Sequence, residues 1–193
     1  MKILLHICCS NCALYPIKIF KADGDDITGF WFNPNIHPQD EYILRLDSVK
    51  KLAAKWHTDI HYIKEYTPED YFNKLGITDP DASGISDIPP FPERCAACYM
   101  LRLEKTAAYA KENGFDAFCT TLLISPYQDF EKMTNAGKEL EKKYNIKFLL
   151  KDFRPYFRDA GALSKELGLY RQKYCGCIYS KIERNKAKKG KGQ

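Results

Sequence analysis

Nowhere in the 193-residue chain does an apolar run approach the roughly 18 positions that a membrane-spanning helix requires. The apolar opening MKILLHICC is about half the length of a secretory core and lacks a small-residue cleavage site, so it predicts a first buried strand, not an export signal. With nothing to export the protein, the expected compartment is the cytoplasm, and no membrane partner is expected. Histidine is scarce, at 4 residues, and none shows metal-ligand spacing with another; His57 and His61, four apart, fall across a helix break. No histidine-held metal is predicted, and His6 reads as a core residue. Neither an internal repeat nor a linker divides the chain, which predicts one domain over residues 1–183 and a basic tail over 184–193.

What is present is the usual globular balance, 45% hydrophobic against 28% charged, in a chain long enough to bury a core without help from a metal. Any metal is then expected to be functional. The net charge of +5 is mild and partly sits in KIERNKAKKGKGQ. That segment reads as a solvated end, with a phosphate-contacting arm as the alternative.

Short apolar runs at residues 2 to 8, 27 to 32, 60 to 63, 116 to 123 and 148 to 150 predict strands. Helical patterns at 12 to 22, after Pro38, at 93 to 113 and at 128 to 144 alternate with them. The alternation predicts an α/β fold, a three-layer Rossmann-like parallel sheet with right-handed crossovers. Sites in such sheets lie beyond the carboxyl ends of the strands, which puts HICCSNC, FWFNPNIHPQ and TTLLISPYQ on one rim. Residues 76 to 92, rich in Pro, Gly, Asp and Ser, read as a loop or lid over it.

The eight cysteines are the most informative residues. In a reducing compartment clustered thiols bind metal or do redox chemistry rather than form a disulfide framework. Cys8, Cys9 and Cys12 fall where a strand gives way to a helix, and free backbone N–H groups and the helix dipole there stabilise thiolates. Cys95 and Cys98 are one turn apart on a helix, a spacing that suits two ligands of one centre. Four such thiolates fit either zinc or an iron–sulfur cluster. Extra cysteines in the same region, and the awkwardness of adjacent Cys8 and Cys9 for zinc-knuckle geometry, favour the cluster. Cys175 and Cys177 flank one glycine; a disulfide between them would be strained and easily reduced, as a redox pair requires, though both could equally be further ligands. Cys119, inside an apolar run, reads as core.

The motifs HICCSNCA, FNPNIHPQDEY followed by Arg45, ERCAACYMLR, TTLLISPYQ, KDFRP and YCGCIYS, in that order along nearly the whole chain, resemble the epoxyqueuosine reductases of the QueH type. The resemblance implies the last step of queuosine biosynthesis: cobalamin-independent reduction of epoxyqueuosine to queuosine at the wobble base of tRNA with a GUN anticodon. It implies a [4Fe-4S] cluster on Cys8, Cys9, Cys95 and Cys98, a redox-active pair at Cys175 and Cys177, an additional iron ion beside the cluster, and an outside electron donor. Cys12 is then a supporting or second-metal residue. The fold implied is that of the HUP or PP-loop group, with the phosphate loop replaced by Cys-Cys-Ser-Asn-Cys, so no ATP binding is predicted. That replacement also argues against the alternative of a cluster-dependent tRNA sulfur-transferase; the other alternative is a zinc-stabilised RNA-binding protein without catalysis. A wobble nucleotide must be splayed from its loop and stacked to reach a buried centre. Tyr99, Arg102, Tyr127, Arg154, Tyr156 and Tyr174 are the candidate contacts, with loop residues Tyr127 and Arg154 the best placed.

Overall fold

The computed structural model describes residues 1–63, 65–77, 91 and 93–189. The first strand, β1 (Lys2–His6), is buried along all but its first residue. A chain whose β-branched and leucine side chains are covered on both faces belongs in the middle of a parallel sheet, and that is where β1 lies. The order is β3 (Ile60–Tyr62), β2 (Asp26–Trp31), β1, β4 (Ala117–Thr120), β5 (Lys147–Phe148), with every pairing parallel.

Helices α1 (Ser10–Ala22), α2 (Gln39–Trp56) and α6 (Phe157–Glu166) form one layer; α3 (Pro68–Lys74), α4 (Glu93–Glu112) and α5 (Phe130–Tyr144) form the other. This is the α/β three-layer arrangement expected from the alternation. The chain winds outward from β1 through β2 to β3, then returns through α4 to β4 on the other side. The order therefore reverses between β1 and β4, the switch point where a crevice opens beyond the strand ends.

Local chemistry shifts the boundaries in places. The strand expected over 116 to 123 stops at Thr120, whose hydroxyl accepts the N–H of Leu122 and turns the chain into a 3-10 segment, Thr121–Ile124. A threonine hydroxyl that bonds its own backbone competes with the sheet ladder in this way. Helices α3, α6 and α7 (Ile178–Lys189) are additions that the sequence pattern does not predict. Residues 184 to 189 of the expected tail continue α7, while residues 190 to 193 and most of the loop over 76 to 92 lie outside the described residues. No helix among the described residues is long and apolar enough to cross a membrane.

Candidate iron–sulfur and thiol site

The backbone leaves β1 through Ile7, whose N–H still reaches Phe30 O at 2.9 Å, and then turns. Cys9 occupies the N-cap of α1, with its sulfur accepting the N–H of Cys12 at 3.2 Å. Cys8 exchanges two contacts with Thr121 at the exit of β4: its N–H donates to Thr121 Oγ1 at 3.2 Å, and that hydroxyl lies 3.4 Å from Cys8 Sγ. The switch point of the sheet thus grips the first cysteine from both sides. Cys8, Cys9 and Cys12 are all buried, and their sulfurs lie within 4.8 Å of one another. The Gln172 amide donates to Cys9 Sγ at 2.9 Å and reaches Cys12 Sγ at 3.7 Å.

The three thiols share their first charge unequally. Hydrogen bonds from the thiols of Cys12 and Cys9 hold Cys8 well below the ordinary cysteine range. Burial pushes Cys9 up, and donation to Cys8 pushes Cys12 up. One thiolate solvated by two neighbouring thiols is a site ready to exchange protons for a soft metal.

Cys95 and Cys98 sit in the first turns of α4, Cys98 buried and Cys95 half-buried, outside the tight trio of sulfurs. Burial, and after it for Cys95 the neighbouring Cys175 and Cys177, pushes both thiols up to about 12. Cys98 packs with Cys177, Tyr71, Phe72 and Tyr179 in a satellite cluster of their own.

Two buried guanidiniums link these groups. Arg45, on α2, donates from Nε to Glu41 Oε1 at 2.8 Å, from Nη1 to the Cys175 carbonyl at 3.0 Å and from Nη2 to the Tyr174 carbonyl at 2.9 Å. Glu41 is braced in turn by the Tyr170 hydroxyl at 2.7 Å. This clamp fixes the Cys-Gly-Cys turn to α2. Gly176 has φ +132°, and a Cβ there would meet Arg45 Nη1 at 3.1 Å, so glycine is required on both counts.

Arg102 is only 1% exposed, and its Nε donates to the carbonyl of Cys98 at 3.3 Å. Its Nη2 has no hydrogen-bond partner among the described residues, and no carboxylate there pairs with it. Burial opposes the charge, but the sulfurs of Cys98, Cys175 and Cys8, once ionised, outweigh it and hold Arg102 above the ordinary arginine range. A fully buried cation needs an anion, and here the anions available are sulfurs. A cluster bearing thiolate and sulfide charge meets that need, so the residues present fit a [4Fe-4S] group.

Of the expected RNA contacts, Tyr127 is 77% exposed, edge-on to Phe157, and the Arg154 guanidinium lies 4.1 Å over the Phe130 ring while paired to Asp152. Tyr156 stacks on Tyr15, and the Tyr174 hydroxyl donates to the His37 carbonyl. Tyr99 and Arg102 are corrections: both are buried against the sheet and offer nothing to an RNA surface.

The sequence matches the family described as "Epoxyqueuosine reductase QueH" over residues 3–183. The chain belongs to that family. Relatives of the same name include one from Dehalococcoides mccartyi, 35% identical with 95% of this chain and 94% of that protein covered, and one from Thermotoga maritima, 38% identical with 94% and 91% covered. Membership makes the chain an oxidoreductase. Among solved structures, the U34-tRNA thiolase NcsA from Methanococcus maripaludis with its [4Fe-4S] cluster aligns with a TM-score of 0.51 at 16% identity, covering 93% of this chain and 61% of that one. That likeness shows a shared α/β fold, the one the parallel sheet and its flanking helices display. Sequence reasoning finds the cysteines but misses Tyr170 and Gln172; Glu41, Arg45 and Gln128 stand in or beside quoted motifs without a role.

Proposed function

We propose that the protein reduces the epoxide of epoxyqueuosine to the alkene of queuosine in tRNA with a GUN anticodon, using a [4Fe-4S] cluster held by Cys8, Cys9, Cys95 and Cys98. Family membership supports the substrate. Arg102, a buried cation with one nitrogen unpartnered, no carboxylate pairing with it among the described residues and cysteine sulfurs nearby, is the observation that carries the cofactor. Cys12, drawn into the buried trio, is a fifth thiol in reach of an additional iron. When bound, the cluster supplies single-electron transfer and Lewis acidity.

Cys175 and Cys177 supply the stoichiometry. Two thiols becoming one disulfide release two electrons and two protons; the two C–O bonds of the epoxide break, its carbons become the alkene, and its oxygen leaves as water. An outside reductant then returns the pair to thiols. Arg45 holds the turn that carries the pair, while Tyr127 and Arg154 offer a ring and a cation to a splayed nucleotide.

Nucleosides of tRNA from a strain lacking the protein test the reading: epoxyqueuosine accumulates and queuosine disappears. Unchanged queuosine, in a strain with no second reductase, overturns it. In anaerobically purified protein, Cys95→Ser or Cys98→Ser bleaches the brown colour, whereas Cys175→Ser or Cys177→Ser keeps it and abolishes turnover. Loss of colour in the latter pair makes them ligands instead.

A further inference from the structure

The two sulfurs of the Cys-Gly-Cys turn stand in different surroundings. Cys177 is buried, and its Sγ accepts the N–H of Ser180 at 3.4 Å in the first turn of the 12-residue helix α7. Cys175 is exposed, and its Sγ accepts from the Gln128 amide, Nε2, at 3.4 Å.

The direction of that amide is dictated from below. The backbone N–H of Asp129 donates to the Tyr99 hydroxyl oxygen at 3.1 Å, so the hydroxyl's own proton must go elsewhere. It goes to Gln128 Oε1 at 2.8 Å. With Oε1 turned toward Tyr99, Nε2 is turned toward Cys175. Tyr99 is itself 1% exposed and cannot swing away, and Asp129 is anchored as the N-cap of α5 through its bond from Lys132 N. A helix cap thus orients a tyrosine, the tyrosine orients a glutamine, and the glutamine faces one of the two sulfurs with a donor.

We propose that Gln128, locked by Tyr99, is a positioning residue that holds Cys175 Sγ as a hydrogen-bond acceptor on the open side of the site, so that a dithiol reductant attacks Cys175 and displaces Cys177. The proposal rests on the reading of these two cysteines as the reacting pair. In the step, a reductant thiolate attacks Cys175 Sγ, the Cys175–Cys177 bond breaks, and Cys177 departs as a thiolate met by the Ser180 N–H. The reductant's second thiol, deprotonated, attacks its own sulfur in the mixed disulfide and releases Cys175 toward Gln128. The reductant ends as a disulfide, and its two protons and two electrons end on Cys175 and Cys177.

The test is iodoacetamide labelling of the reduced full-length protein, followed peptide by peptide by mass spectrometry. Cys175 reacts about tenfold faster than Cys177 because only it is exposed. Gln128→Glu, which keeps the shape but replaces the donor with a carboxylate oxygen, slows Cys175 by about threefold or more and leaves Cys177 unchanged. Tyr99→Phe frees the amide and slows Cys175 in the same direction. With glutathione disulfide, Cys177→Ser protein accumulates a mixed disulfide at Cys175. Faster labelling of Cys177, or equal effects of Gln128→Glu on both sulfurs, or none on either, overturns the proposal. Labelling is read without turnover, so it fails or succeeds separately from the loss of turnover in Cys175→Ser that tests the pair itself.

Discussion

His6 ends β1 directly beneath the cysteine turn, fully buried, with Nε2 3.2 Å from the Phe32 carbonyl and Nδ1 3.0 Å from Thr120 Oγ1. A carbonyl only accepts, so Nε2 carries the proton and Nδ1 takes the threonine's hydroxyl hydrogen. A second ring proton would force the threonine hydroxyl, which already accepts from Leu122 N, to turn its own hydrogen away. Burial first, and the Arg102 charge after it, lower the imidazole from 6.5 to about 4. The unfolded chain therefore binds a proton at a higher pH than the folded one does. Stability is full above about 6.5, declines as pH falls, and levels off below about 4, a loss of about 3 kcal/mol. Denaturant unfolding at pH 7 and at pH 4.5 checks this against His6→Gln, which removes the titrating ring. The variant loses markedly less stability on acidification than the parent chain; equal losses would show that the ring titrates normally. The core placement of His6 was legible from its position in an apolar strand, but its partners were not, because Phe32 and Thr120 come from other strand exits.

At the scale of elements, what the sequence made legible was whatever repeats. Buried parallel strands read as continuous apolar runs, and the long helices α2, α4 and α5 show their apolar faces at helical spacing. The short helices α3 and α6 bury only two residues each, Tyr71 and Phe72 or Ala160 and Ser164, too few to set a period. Close approaches are likewise silent in the pattern. Gly137, in the middle of α5, faces the Phe148 ring of β5, and a Cβ there would lie 2.2 to 2.5 Å from three ring atoms. Alanine improves intrinsic helix propensity by about 1 kcal/mol, but overpacking against a ring wedged between helix and sheet costs about 1–3 kcal/mol, and a gap this short puts the cost at the upper end. Gly137→Ala is expected to lower stability by about 2 kcal/mol, read as a lower thermal unfolding midpoint. A midpoint at or above that of the parent chain would mean that the ring moves aside freely.

On the scale of the whole molecule, spacing told which thiols come in pairs, and only the fold shows what neutralises them. Arg45 is 130 residues from Cys175 in sequence, and Gln172 is 163 from Cys9. No local pattern encodes such contacts. Tyr99 and Arg102 mislead for a different reason: their types suit RNA, yet they share with Leu103, Thr106 and Ala107 the face of α4 that packs on the sheet. Helix α7 begins one residue after Cys177 and runs 12 residues, about 18 Å at 1.5 Å per residue. We propose that basic residues of this C-terminal segment contact phosphates flanking the nucleotide. Ending the chain after Arg184 removes Lys186, Lys188, Lys189 and Lys191. For every lysine that neutralises a phosphate, its removal reduces the slope of log affinity against log salt by about 0.7 to 0.9. Binding of tRNA to the shortened chain, titrated across salt concentrations, is expected to weaken and to show a flatter slope by one to two such steps. A slope equal to that of the full chain would assign those lysines to solvent and leave the RNA held by the loops around Tyr127 and Arg154 alone.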